Sequence, residues 1–124
     1  MRLLIDTHIL LWWLADNPKL SITARARIAE AEMVYISAVS VWEMAIKAST
    51  GKLRAPDDLE KQLQRHGFVQ LPVSVNHALE VATLPRHHSD PFDRMLIAQA
   101  SIESLTLVTA DPQLAVYGGP ILKV

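Results

Sequence analysis

Five short apolar runs recur along the chain with helical segments between them: Leu3 to Ile5, Val34 to Ile36, Phe68 to Leu71, Thr106 to Val108 and Ile121 to Val124. None alternates apolar and polar residues cleanly, the pattern of strands covered on both faces. Strand, helix and strand in repetition calls for right-handed crossovers. The expected fold class is therefore α/β, a three-layer α/β/α sandwich with a mostly parallel central sheet. Helix ends are legible. "SITARARIAEAE" opens at Ser21, "AVSVWEMAIKAST" stops at Gly51, and "PDDLEKQLQRHG" opens with acids and closes at Gly67. "SVNHALEVATLP" is halted by Pro85, and "DPFDRMLIAQASIES" starts with an Asp N-cap followed by Pro at the first helical position. No repeat, low-complexity tract or long linker interrupts this order, so residues 1–124 are expected to form a single domain.

A formal net charge of −1 excludes a strongly basic coat for nonspecific nucleic-acid binding. It leaves room for an enzyme that holds phosphate through a local basic rim or a metal ion. Without cysteine, neither a disulfide nor a thiolate metal site is possible. "MRLLID" is no signal peptide, because Asp6 interrupts the apolar run, and "ILLWWLA" is far too short to span a bilayer. A cytoplasmic protein is expected.

Most of the thirteen acids have ordinary surroundings. Asp16 lies in a turn signal, Asp57 and Asp58 suit a helix start, and Glu30, Glu32, Glu60, Glu80 and Glu103 read as solvated helix faces. Four stand apart. Asp6 and Asp111 each follow a strand, at the sheet edge where ligands bind in open α/β folds. Asp111 taken alone reads more simply as an N-cap before Pro112, while Thr7 is able to cap the helix after Asp6. Glu43 shares a helix face with Val39 and Ile46, bordering the buried stripe. An ion pair with Lys47 would contribute only about 0.2–0.5 kcal/mol, small against desolvation of a carboxylate. Asp93 shares a face with Leu96, Ile97 and Ala100, yet also fits the reciprocal position of a capping box begun by Asp90. Both readings of Asp93 stand on spacing alone.

If the four converge, each pair at about 5 Å and an effective dielectric near 20 costs roughly 3 kcal/mol. A cation would hold such a cluster together. Oxygen ligands select a hard ion, Mg²⁺ or Mn²⁺, which suits phosphodiester hydrolysis. The adjacent pair His87 and His88 lacks the helical spacing of a zinc motif.

"LLIDTHILLWWL", "ISAVSVWEMAIKASTGKL", "DPFDRMLIAQA" and "LVTADPQL" occur in the order and spacing of PIN-domain ribonucleases, and the whole chain resembles the VapC-type toxins of bacterial toxin–antitoxin pairs. The resemblance implies a PIN-like fold and an acidic metal site built from Asp6, Glu43, Asp93 and Asp111. Asp90 stays an N-cap or an indirect contributor. It further implies cleavage of structured RNA such as tRNA or ribosomal RNA, inhibition by a VapB-like antitoxin, and a homodimer. On that basis Asp6 and Asp93 would ligate Mg²⁺ or Mn²⁺, Glu43 would hold a water of that ion or act as its base, and Asp111 would complete the acidic wall. Thr7, Ser40 and Thr109 are close enough in sequence to orient ligands, though ordinary hydroxyl hydrogen bonding accounts for each alone. Arg86, His87, His88 and Arg94 flank the third motif as candidate RNA-backbone contacts, or as a solvated loop.

The alternative class is an Mg²⁺-binding signalling or interaction module without nuclease activity. A receiver-like pocket would draw its acids from strand ends, whereas Glu43 and Asp93 fall on helices. A phosphatase with an aspartate nucleophile would want a second acid where His8 stands. Finally, "ILLWWLA" is apolar all round, so one side of that helix, including one of Trp12 and Trp13, is expected to meet a protein partner.

Overall fold

A computed structural model describes residues 1–124. The elements run β1 (Arg2–Ile5), α1 (Thr7–Leu14), α2 (Ile22–Glu30), β2 (Met33–Ser37), α3 (Ala38–Ser49), α4 (Leu59–Arg65), β3 (Val69–Leu71), α5 (Val75–Val81), α6 (Pro91–Glu103), β4 (Thr106–Thr109), α7 (Pro112–Ala115) and β5 (Ile121–Lys123). All five expected strands form, with no end displaced by more than one residue. They make one sheet in the order β3-β2-β1-β4-β5, and every neighbouring pair is parallel.

Register explains the continuous apolar runs. Leu3 faces Val34 and Leu4 faces Leu107, while Ile5 faces Val108. Leu3, Ile5, Val34, Ile36 and Val108 point to one face, where α1, α2 and α4 add Ile9, Leu10, Ile28 and Leu63. Leu4, Leu71 and Leu107 point to the other, where α6 and α7 add Leu96, Ile97, Ala100 and Leu114. Helix α3 contributes to both clusters, through Met44 on the first and Val39 on the second. Each fully buried Leu or Ile contributes about 1.5–3 kcal/mol. The three-layer expectation therefore holds because both sheet faces are apolar.

Two helix ends follow from glycine. Gly67 takes φ +73°, Phe68 N donates to Leu63 O at 2.9 Å and Gly67 N donates to Gln64 O at 3.0 Å, a Schellman closure of α4. Phe68 thereby turns into the core ahead of β3 instead of starting the strand. Gly51 closes α3 in the same way, with φ +73° and Lys52 N donating to Lys47 O at 2.9 Å. Two expectations need adjustment. Helix α5 ends at Val81, four residues before Pro85, because Ala82, Thr83 and Leu84 are already in turn conformation. Glu103 is not a free solvated acid, since its carboxylate lies 2.7 Å from Nε2 of buried His77. No helix is long and apolar enough to cross a membrane.

The strand order reverses at β1: the chain builds outward through β2 and β3, then returns to add β4 on the opposite side. The carboxyl ends of β1 and β4 therefore flank a crevice of the kind that binds ligands in open parallel sheets. Asp6 leaves one of these ends and Thr109 closes the other.

Candidate active site

Asp6 is buried and serves as the N-cap of α1 itself, accepting from Ile9 N at 2.9 Å. Its second oxygen accepts from Thr109 Oγ1 at 2.6 Å. Burial pushes the Asp6 carboxyl above its ordinary range, against the opposing pull of Thr109 and the Ile9 amide. Thr7 is not the cap. Its hydroxyl leaves the helix and donates to Glu43 Oε1 at 2.7 Å.

Glu43 is also buried, and its other oxygen accepts from Lys47 Nζ at 2.7 Å. The Lys47 pair thus forms, but Thr7 joins it across a separation of 36 residues. Lys47 answers by holding its proton more tightly, first through that hydrogen bond to Glu43, with Asp90 and Asp93 adding to the same field. Glu43 and Lys47 therefore share the neighbourhood of α6's first turn.

At that turn Asp90 is the N-cap, accepting from Phe92 N at 2.8 Å and Asp93 N at 3.1 Å through one oxygen. The capping box foreseen as one option for Asp93 does not form. Its carboxylate turns to His88, with Nε2 and Oδ2 2.9 Å apart. Burial first, and then the charges of Asp90 and Asp6, raise the Asp93 carboxyl to about 6 against the opposing pull of His88. His88, Asp90 and Asp93 each offer a ligand atom within 4.8 Å of the others. A nitrogen donor therefore stands beside the expected carboxylates, and Asp93 belongs to both sets.

Asp111 behaves as the cap that its spacing suggested, accepting from Gln113 N at 2.9 Å at the start of α7. Its amide donates to Thr109 Oγ1 at 3.0 Å, so one hydroxyl joins Asp111's backbone to Asp6's carboxylate. Asp111 is half-buried beside the crevice and makes no direct bond to the other three acids. Ser40, on α3, is fully buried and its Oγ has no partner.

The basic cluster divides. Arg94 is not free for an RNA backbone: Nη1 donates to Pro85 O at 2.9 Å and Tyr117 Oη at 3.0 Å, and Nη2 donates to Val81 O at 2.9 Å. It fastens the loop that carries His88 onto α6. Arg94→Ala is expected to cost about 1–2 kcal/mol, since the released carbonyls lie in a loop that water can reach. Thermal denaturation of purified variant and wild type checks this; an unchanged midpoint refutes the clamp. Arg86 and His87 remain exposed and, with Ser89 and Gln113, line an open polar cleft beside Asp93. His88 as Asp93's partner, and Arg94 as the clamp, had no signal in the sequence beyond proximity.

The sequence model of the PIN domain matches residues 3–120. The chain belongs to the PIN-domain family. This PIN domain is 28% identical over 120 residues to Ribonuclease VapC22 of Mycobacterium tuberculosis (strain ATCC 25618 / H37Rv), covering 94% of this chain and 92% of that protein. Among solved structures it resembles a toxin–antitoxin complex from Klebsiella pneumoniae, with TM-score 0.69, 18% identity, and 98% and 96% of the two chains covered. It equally resembles VapBC2 from Rickettsia felis bound to a DNA fragment from their promoter, with TM-score 0.69, 16% identity, and 99% and 98% covered. Those two likenesses establish the PIN fold.

The donor set of this PIN domain fits a hard divalent cation. His88, Asp90 and Asp93 bring one nitrogen and two carboxylate donors together, and burial with the charges of Asp90 and Asp6 makes an uncompensated Asp93 carboxylate costly.

Proposed function

We propose that residues 1–124 form a single PIN-like nuclease domain that hydrolyses phosphodiester bonds in structured RNA, tRNA or ribosomal RNA, with Mg²⁺ or Mn²⁺ as cofactor. It acts as the toxin of a bacterial toxin–antitoxin pair, is silenced by a VapB-like antitoxin, and works in the cytoplasm as a homodimer. The observation that carries this reading is the set of acids at the β1/β4 crevice, two of them buried and each pinned by a threonine from a distant segment. The likeness to Ribonuclease VapC22 supports the RNA chemistry, and the likeness to toxin–antitoxin complexes supports the partner.

Asp6 and Asp93 would hold the ion, with Asp90 and His88 in reach of Asp93. A divalent ion held there would supply positive charge to the scissile phosphate and make a nearby water more acidic. Thr109 and the Ile9 amide keep Asp6 from rotating away from the crevice. Glu43, its charge balanced by Lys47 and its orientation set by Thr7, is better suited to accept a proton from water than to bind the ion directly. Asp111 closes the acidic wall beyond Thr109.

The test is to incubate the purified chain, free of any co-expressed protein, with total tRNA and ribosomal RNA in Mg²⁺, Mn²⁺ or EDTA. Discrete fragments that require metal and vanish in Asp6→Asn are expected. Fragments that persist in EDTA or in the variant would refute the metal site. An absence of fragments with every RNA would favour an Mg²⁺-binding module without nuclease activity.

A further inference from the structure

A groove of about 760 Å³ runs along α1 and shares no lining residue with the Arg86 cleft. The catalytic proposal does not use it, yet it adjoins the site: Thr7 and Lys47, the two side chains that hold Glu43, also line it. Its volume falls in the range of small-ligand sites. One wall carries His8 and Trp12, one helical turn apart, with ring centroids 6.3 Å apart and Leu11 beside them. The lining also carries Lys52 and Arg54, both exposed, on the segment that follows the Gly51 closure of α3. Lys52 and Arg54 share the lining with a single acid, Asp57, while Lys47 is already paired with Glu43.

We infer that this groove binds an unpaired nucleotide of the RNA substrate next to the scissile phosphate, its base on the Trp12 face and its phosphate on Lys52 and Arg54. The inference rests on the nuclease reading above for the direction of the strand, but its chemistry is separate. Aromatic rings beside exposed cations are what single-stranded nucleic acid requires, because every base has a π-face and every linkage a negative charge. An apolar helix partner would not need the excess of cations. Both tryptophans are partly buried against the core, but Trp13 is engaged by Phe68 at 5.9 Å and donates Nε1 to His66 Nδ1 at 3.3 Å, whereas Trp12 is the one that lines the groove.

The experiment measures binding of a fluorescein-labelled, mixed-sequence 12-nucleotide single-stranded RNA to the full chain by anisotropy in EDTA, across a salt series. Lys52→Ala with Arg54→Ala is expected to make the slope of log affinity against log salt shallower by about 1.4, from two phosphate contacts on a single strand. Trp12→Leu, which keeps apolar packing but removes the ring, is expected to weaken binding about tenfold at every salt concentration. Lys61→Ala, an exposed lysine outside the groove, should change the slope little. Equal binding by wild type and groove variants overturns the inference, as does a wild type that fails to bind at low salt. A poly-glutamate peptide that displaces the RNA with indifference to Trp12→Leu would identify an acidic-peptide site and also overturn it. Because EDTA separates binding from cleavage, groove-dependent binding without metal-dependent cleavage would refute the nuclease reading alone. Cleavage with groove-independent binding would refute the groove alone.

Discussion

Asp93→Asn is expected to lower RNA cleavage by about 10²–10³-fold while leaving the fold intact and the metal-free protein more stable at neutral pH. The two effects have one cause. The carboxylate is half-buried, bonded to His88, and crowded by Asp90 and Asp6, so its charge is costly until a cation arrives. Asparagine keeps the shape and can still accept from His88, but it brings no charge to the crevice. Cleavage assays in Mg²⁺ and melting in EDTA check the pair of outcomes. Unchanged cleavage would remove Asp93 from the reaction. Lost cleavage with a lower melting temperature would mean that Asp93 serves the fold.

The pH dependence of the metal-free protein is the second large effect. Asp93 sits near 6 in the folded state against 3.8 in the unfolded chain. Between those values the folded protein holds a proton that the unfolded chain has lost, so stability falls as pH rises through the window. Below it both states are protonated and the penalty is absent; above it both are ionised and the penalty is complete. About two pH units correspond to at most about 3 kcal/mol, and partial solvent contact at Asp93 lowers that ceiling. Asp6, raised by burial, acts in the same direction. Denaturant titrations in EDTA from pH 4 to 8 should therefore show wild type losing stability relative to Asp93→Asn, nearly all of it before about pH 6.5. Saturating Mg²⁺ at pH 7 should restore it in wild type alone, by about 2.7 kcal/mol at a hundredfold excess over the dissociation constant. Parallel curves for the two proteins would show that the acidic cluster stores no such penalty.

Some of this site was open to reading along the chain. Asp90 before Pro91 is a local cap, and it forms as local rules require, since its partners are the amides of Phe92 and Asp93. Glu43 with Lys47 is an i,i+4 pair and forms too. The capping option for Asp93 failed for a reason outside its helix: His88 is delivered by a loop that Arg94 and Tyr117 fasten down. Arg94 looked available because an arginine in the first turn of a helix usually meets solvent. Its fork instead meets the carbonyls of Val81, the last residue of α5, and of Pro85 in the loop beyond it.

The sequence by itself determined the layered α/β class, the five strands and the helix stops at Gly51 and Gly67. Apolar run length, capping residues and positive-φ glycines act over a few residues and need no partner from elsewhere. It also marked the acids that stand at costly positions. Only the tertiary structure decided which hydroxyl holds which acid, that His88 faces Asp93, and that Lys52 and Arg54 line one groove with Trp12. Thr109 and Asp6 are 103 residues apart, and no local propensity encodes their 2.6 Å bond. It exists because β1 and β4 pair side by side at the point where the strand order reverses, which places both of their ends at one crevice.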